Sequence, residues 1–77
     1  MSTPILGMPI DTGRFYLDTD ARDTGLGTVL SQDQEGTEVV IAYASRTLHK
    51  PETNDVMKRE LLTVIYSLKT FRQYLLG

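Results

Sequence analysis

The chain has 77 residues, no cysteine and a formal net charge of −2. A chain of this size buries only about 60% of its unfolded surface, so one small domain with a thin core is the most it can form. Disulfides and thiolate zinc sites are excluded as reinforcements, and so is the strong positive charge of a general polyanion binder.

Met1 to Gly13 carries Pro4, Gly7, Pro9 and Gly13, which predicts an extended, poorly ordered lead-in over residues 1–13. Its apolar residues Ile5, Leu6, Met8 and Ile10 are available to dock on a neighbour. It lacks the basic region and apolar run of a targeting signal, and no later stretch approaches the ~18 apolar residues of a membrane span. A soluble chain without a membrane partner is expected.

The folded part is expected over residues 14–77, as strand, strand, strand and helix. Arg14 to Asp20 reads as the first strand. Alternation puts Phe15, Leu17 and Thr19 on one face and Tyr16, Asp18 and Asp20 on the other, so a carboxylate is delivered at the strand end. Asp23-Thr24-Gly25 supplies turn chemistry. Leu26 to Gln32 reads as the second strand; Gly25 and Gly27 at its start serve turn geometry or leave room for a close approach. Asp33 to Thr37 is a polar loop with Gly36 where a hairpin wants positive φ. Val39 to Ser45 is apolar almost continuously, which predicts a third strand covered on both faces. Short connections between the three predict an antiparallel meander.

Thr53, Asn54 and Asp55 are competent helix caps. Beyond them, apolar residues at 57, 61, 64, 68, 71 and 75 recur with spacings of four and three, which predicts an amphipathic helix to about Leu75, roughly 30 Å long. Leu62, Ile65 and Leu76 widen the apolar arc. Glu60 falls at its border, beside Val64 and Phe71 and next to the small Ser67. Periodicity leaves two readings of Glu60, a solvated flank residue or a carboxylate aimed at whatever the helix packs on.

Charge is unevenly spread. Up to Glu38 there are seven acids against two bases, and from Val39 onward three acids against six bases. A metal-dependent nuclease uses both signs, acids for cations and bases for phosphates, and a mixed solvated surface accounts for the split equally well. His49 is the only histidine and has no second ligand near it in sequence. Tyr43, Tyr66 and Tyr74 fit a small core better than a base-stacking platform. There is no Walker loop, nucleophile elbow or dinucleotide fingerprint.

Taken together, Asp18-Thr19-Asp20-Ala21, Ala42-Tyr43-Ala44-Ser45-Arg46-Thr47-Leu48 and Lys58-Arg59-Glu60-Leu61-Leu62 resemble the ribonuclease H domain of gypsy-type long-terminal-repeat retrotransposon polyproteins, in order and over essentially the whole chain. The resemblance implies an α/β (α+β) architecture, a truncated ribonuclease H-like fold in which a three-stranded antiparallel sheet is packed by one long helix. It implies two-metal hydrolysis of the RNA strand of an RNA/DNA hybrid with Mg²⁺ or Mn²⁺, and an intracellular setting, cytoplasm or virus-like particle. By motif, Asp20 is the first metal-binding catalytic acid and Glu60 the second, and Asp23 is a turn residue. The family continues past the equivalent of Gly77 into strands and helices bearing further acids, so weak metal binding and little or no nuclease activity are expected of these residues alone. The expected partners are the remainder of a pol polyprotein or another chain, with self-association through an exposed sheet edge and apolar helix face as the non-catalytic alternative. Two departures from the family stand out: Arg22 where a small residue is usual, and Asp55 in place of an aromatic, with the run from Asn54 to Glu60 one residue short.

Overall fold

The computed structural model describes residues 6–48 and 56–76. The caps expected at Thr53, Asn54 and Asp55, and His49, lie outside the described residues. Three strands, β1 (Phe15–Arg22), β2 (Gly25–Gln34) and β3 (Thr37–Thr47), are followed by helix α1 (Val56–Thr70) and a short helical turn, α2 (Arg72–Leu75). The strands form an antiparallel sheet in the order β1-β2-β3, so the meander and the α+β class are as the sequence predicts. Asp20 does not close the first strand, because pairing runs two residues further, to Arg22 opposite Gly25.

Both hairpins turn on two residues. Asp23 and Thr24 join β1 to β2, and Glu35 and Gly36 join β2 to β3 with φ values of 58° and 87°. Positive φ at both central positions matches the right-handed twist of the flanking strands. Asp33 Oδ1 accepts the Gly36 N–H at 3.0 Å and fixes the turn.

In-register pairs share a face of the sheet. Phe15, Leu17, Thr19 and Ala21 lie opposite Gln32, Leu30, Thr28 and Leu26, and this is the face the helix covers. Leu30, Ile41, Ala42, Ala44 and Phe71 form the core, with Phe15, Leu17, Val39, Tyr66, Tyr74 and Leu75 around it. β3 is covered on one face only, contrary to the expectation from its apolar run: Val40 and Tyr43 are exposed. A bulge where the register shifts between Leu30 and Ser31 explains the run. It inserts one extra residue and lets neighbouring Ile41 and Ala42 both point inward.

The helix presents a different face to the sheet from the one its apolar spacing predicts. Thr63, Ser67 and Phe71 are buried, whereas Met57, Leu61 and Leu68 are 79%, 59% and 50% exposed. The Ser67 hydroxyl donates to the Thr63 carbonyl at 2.7 Å and stands 2.7 Å from Thr28 Oγ1. Small side chains at 63 and 67 let the helix backbone approach the strands, and the two hydroxyls satisfy each other in the dry interface. The apolar stripe is left roughly a third of a turn away, at 100° per residue. α1 also breaks at Phe71, whose φ of −99° and ψ of 13° leave the helical region. Its 15 residues span about 22 Å instead of 30.

The lead-in does not run free. Gln32, wholly buried, accepts the Ile10 N–H at 2.8 Å and donates to the carbonyls of Ile10 and Gly13 at 2.7 and 3.0 Å. Gln34 Nε2 donates to the Met8 carbonyl and to Gln32 Oε1, and the Leu6 N–H reaches the Ile41 carbonyl at 2.8 Å. Residues 6–13 are thus strapped across one end of the sheet. Proline and glycine removed regular structure there, and a side-chain amide supplied the missing backbone partners.

Candidate functional site

β1 is an edge strand, paired on one side only among the described residues, and α1 packs chiefly beside it. Where the C-terminal end of β1 meets the first turns of α1, Thr19, Asp20, Ala21, Val56, Arg59, Glu60 and Val64 line an open groove of about 410 Å³. The two residues come from positions forty apart in the chain, and both line this groove because the helix runs back over the strand that carries Asp20. Asp20 is on the helix-free face by alternation, with Tyr16 and Asp18. As a residue of an edge strand it also borders the helix side.

Asp20 also borders a second groove of about 370 Å³ on the helix-free face, with Asp18, Gly27, Val29 and Tyr43. Gly27 is the cross-strand partner of Asp20, and a Cβ there would meet only the Asp20 carbonyl, at 3.9 Å, so the glycine leaves the floor beside the carboxylate open. Tyr43, expected in the core, stands exposed here, while Tyr66 donates its hydroxyl to the Ser45 carbonyl at 3.1 Å and Tyr74 packs 6.5 Å from Phe71, ring centre to ring centre.

Asp20 is not alone. Arg22 Nε lies 3.4 Å from Asp20 Oδ2, with both side chains largely exposed. Glu60 remains exposed on α1. It lines the groove all the same.

A match to the description "RNase H-like domain found in reverse transcriptase" extends over residues 1–77. The chain belongs to that family. Among its relatives, this RNase H-like domain is 46% identical over 77 residues to the retrovirus-related Pol polyprotein from transposon opus of Drosophila melanogaster, covering 99% of this chain and 8% of that protein. The Pol polyproteins from transposons 297 and gypsy of the same organism are 44% and 40% identical, over 96% and 95% of this chain and 7% of each relative. The domain therefore spans less than a tenth of the polyproteins it matches. No solved structure matches it.

For the divalent cation that the ribonuclease H resemblance implies, the groove offers donors of the right kind, since Mg²⁺ takes carboxylate oxygen. Their number is the difficulty. Among the described residues no group of three or more Asp, Glu, His or Cys side chains converges. Asp20 and Glu60 both line the open groove, and two carboxylates fall short of what two ions require. Among the described residues, no helix is long and apolar enough to cross a membrane.

Proposed function

We propose that this RNase H-like domain carries two of the carboxylates of a divalent-metal phosphodiesterase site acting on the RNA strand of an RNA/DNA hybrid, with Asp20 and Glu60 as ligands. One observation carries this reading: in a chain of this family, both acids line the same groove at the junction of β1 and α1. Divalent cations at such a site supply an activated water and offset the charge that develops on the leaving oxygen. The chain's own residues do the holding. Asp20 is fixed on a paired strand and Glu60 on a helix anchored through Ser67 and Thr28, and Arg59 brings positive charge to the groove wall, the sign a phosphodiester backbone requires.

With two carboxylates gathered, the 77-residue chain binds Mg²⁺ or Mn²⁺ weakly and does not turn over hybrid by itself. The test is a titration with MnCl₂ followed by amide line broadening, beside a time course on a labelled RNA/DNA hybrid. Broadening centred on residues 18–22 and 56–64 and lost in Asp20→Asn and Glu60→Gln is the expected outcome. Broadening that ignores both substitutions refutes the ligand assignment, and multiple turnover abolished by Asp20→Asn refutes the inactivity.

A second reading rests on the exposed stripe of Met57, Leu61, Val64, Ile65 and Leu68. An apolar face of that extent marks a contact surface. In chains where such a domain occupies under a tenth of a Pol polyprotein, its occupant is more of the same polyprotein, with a second copy of the domain as substitute in isolation. Sedimentation that stays monomeric across a wide concentration range counts against self-association.

A further inference from the structure

The Asp20–Arg22 pair carries a consequence for cation binding that the carboxylates by themselves do not. Arg22 follows Asp20 by two residues on β1, so both side chains leave the same face of the strand. Their cross-strand neighbours on β2 are Gly27 and Gly25. Neither has a side chain that could separate the two charges or offer either one another partner from across the sheet. The guanidinium therefore rests against the carboxylate, Nε to Oδ2, at 3.4 Å.

We propose that Arg22 is a tethered counter-ion that competes with divalent metal for Asp20 and sets the cation affinity at Asp20 below what the carboxylate would give alone. The inference rests on the reading of Asp20 as a metal ligand. A cation entering at Asp20 must displace the guanidinium or share the carboxylate with it, and in either case meets a positive charge held two residues away. Both side chains are largely in water, 74% and 72% exposed, so the competition is a modest and reversible one, worth about two- to five-fold in affinity, as exposed ion pairs are. It weakens as salt screens the pair. Arg22 is a positioning residue in this scheme: it touches the ligand, and nothing in the scheme requires it to touch the metal.

The experiment compares MnCl₂ titrations of the full 77-residue chain and of Arg22→Ala, Arg22→Gln, Arg22→Lys and Asp20→Asn, read as amide line broadening around residue 20, with circular dichroism to establish that each variant folds. Arg22→Ala and Arg22→Gln are expected to bind Mn²⁺ about two- to five-fold more tightly at low salt, Arg22→Lys to stay near the parent, and the gain to shrink at high salt. A purely structural role for Arg22 would not separate lysine from glutamine, nor respond to salt. Equal affinity in the parent and Arg22→Ala, with broadening still lost in Asp20→Asn, overturns the role of Arg22 and leaves the metal site standing. Broadening that survives Asp20→Asn, or is absent from every variant, overturns both.

Discussion

Replacing Gln32 tests whether the strap over residues 6–13 is part of the folded unit. Its amide makes four hydrogen bonds: it accepts from Ile10 N and Gln34 Nε2 and donates to the Ile10 and Gly13 carbonyls, over 2.7 to 3.0 Å. Gln32→Met keeps the volume and removes every one. At about 1 kcal/mol net per bond the ceiling is about 4 kcal/mol. A detached strap regains water at its own backbone groups, which brings the expected loss to about 2–3 kcal/mol. In a domain of this size each kilocalorie lowers the thermal midpoint by about 4–8 °C, so a fall of about 8–24 °C is expected by circular dichroism. Hydrogen exchange localises the effect: the Ile10 amide, protected in the parent, should exchange at the rate of an open chain in the variant, while β1 and β2 amides follow the global loss. A midpoint within about 3 °C of the parent, with the Ile10 amide still protected, refutes the reasoning.

Gly13→Ala attacks the same crossing sterically, since its Cβ would stand 2.5 Å from the Asp33 carbonyl and 2.6 Å from Gln32 Cγ; a loss of about 1–3 kcal/mol in denaturant unfolding is expected. Tyr74→Phe should stabilise by about 1 kcal/mol, because the Tyr74 hydroxyl is buried without a partner among the described residues and its removal takes away an unmet desolvation cost; a lower melting temperature would count against that. Leu61→Ser with Leu68→Ser should leave the unfolding free energy within about 0.5 kcal/mol of the parent, because both side chains are half exposed or more, and should reduce concentration-dependent sedimentation. A large destabilisation would mean that the helix packs through its apolar stripe after all.

The strands were legible because their inward and outward residues alternate, and the second hairpin because Gly36 stands where φ must be positive. Asp20 and Glu60 were singled out by motif, and the groove that both residues line follows from running the helix back along the edge strand. The face of the helix was not. Apolar periodicity finds a face that avoids water without saying which surface removes it from water, and here Thr63 and Ser67 won the sheet because they are small and find a hydroxyl on Thr28. The strap was hidden for a related reason, since prolines and glycines signal only the loss of regular structure. One sign was available: Gln32 shares the inward face with Leu30 and Thr28, and a glutamine there must find polar partners from somewhere. Arg22 was visible as an unusual neighbour of Asp20, but its ion pair depends on the glycines across the ladder, which the register reveals.

The free margin of β1 is also where a stray chain would add itself. Its N–H and C=O groups, unpaired among the described residues, can template another strand, the first step towards fibrils. Two such margins meeting would crowd Asp18 and Asp20 of one molecule towards those of the next, and this like-charge repulsion discourages the growth. Asp18 and Asp20 would thereby work against stacking, and a solution rich in magnesium, by neutralising them, should shorten the time before precipitation begins.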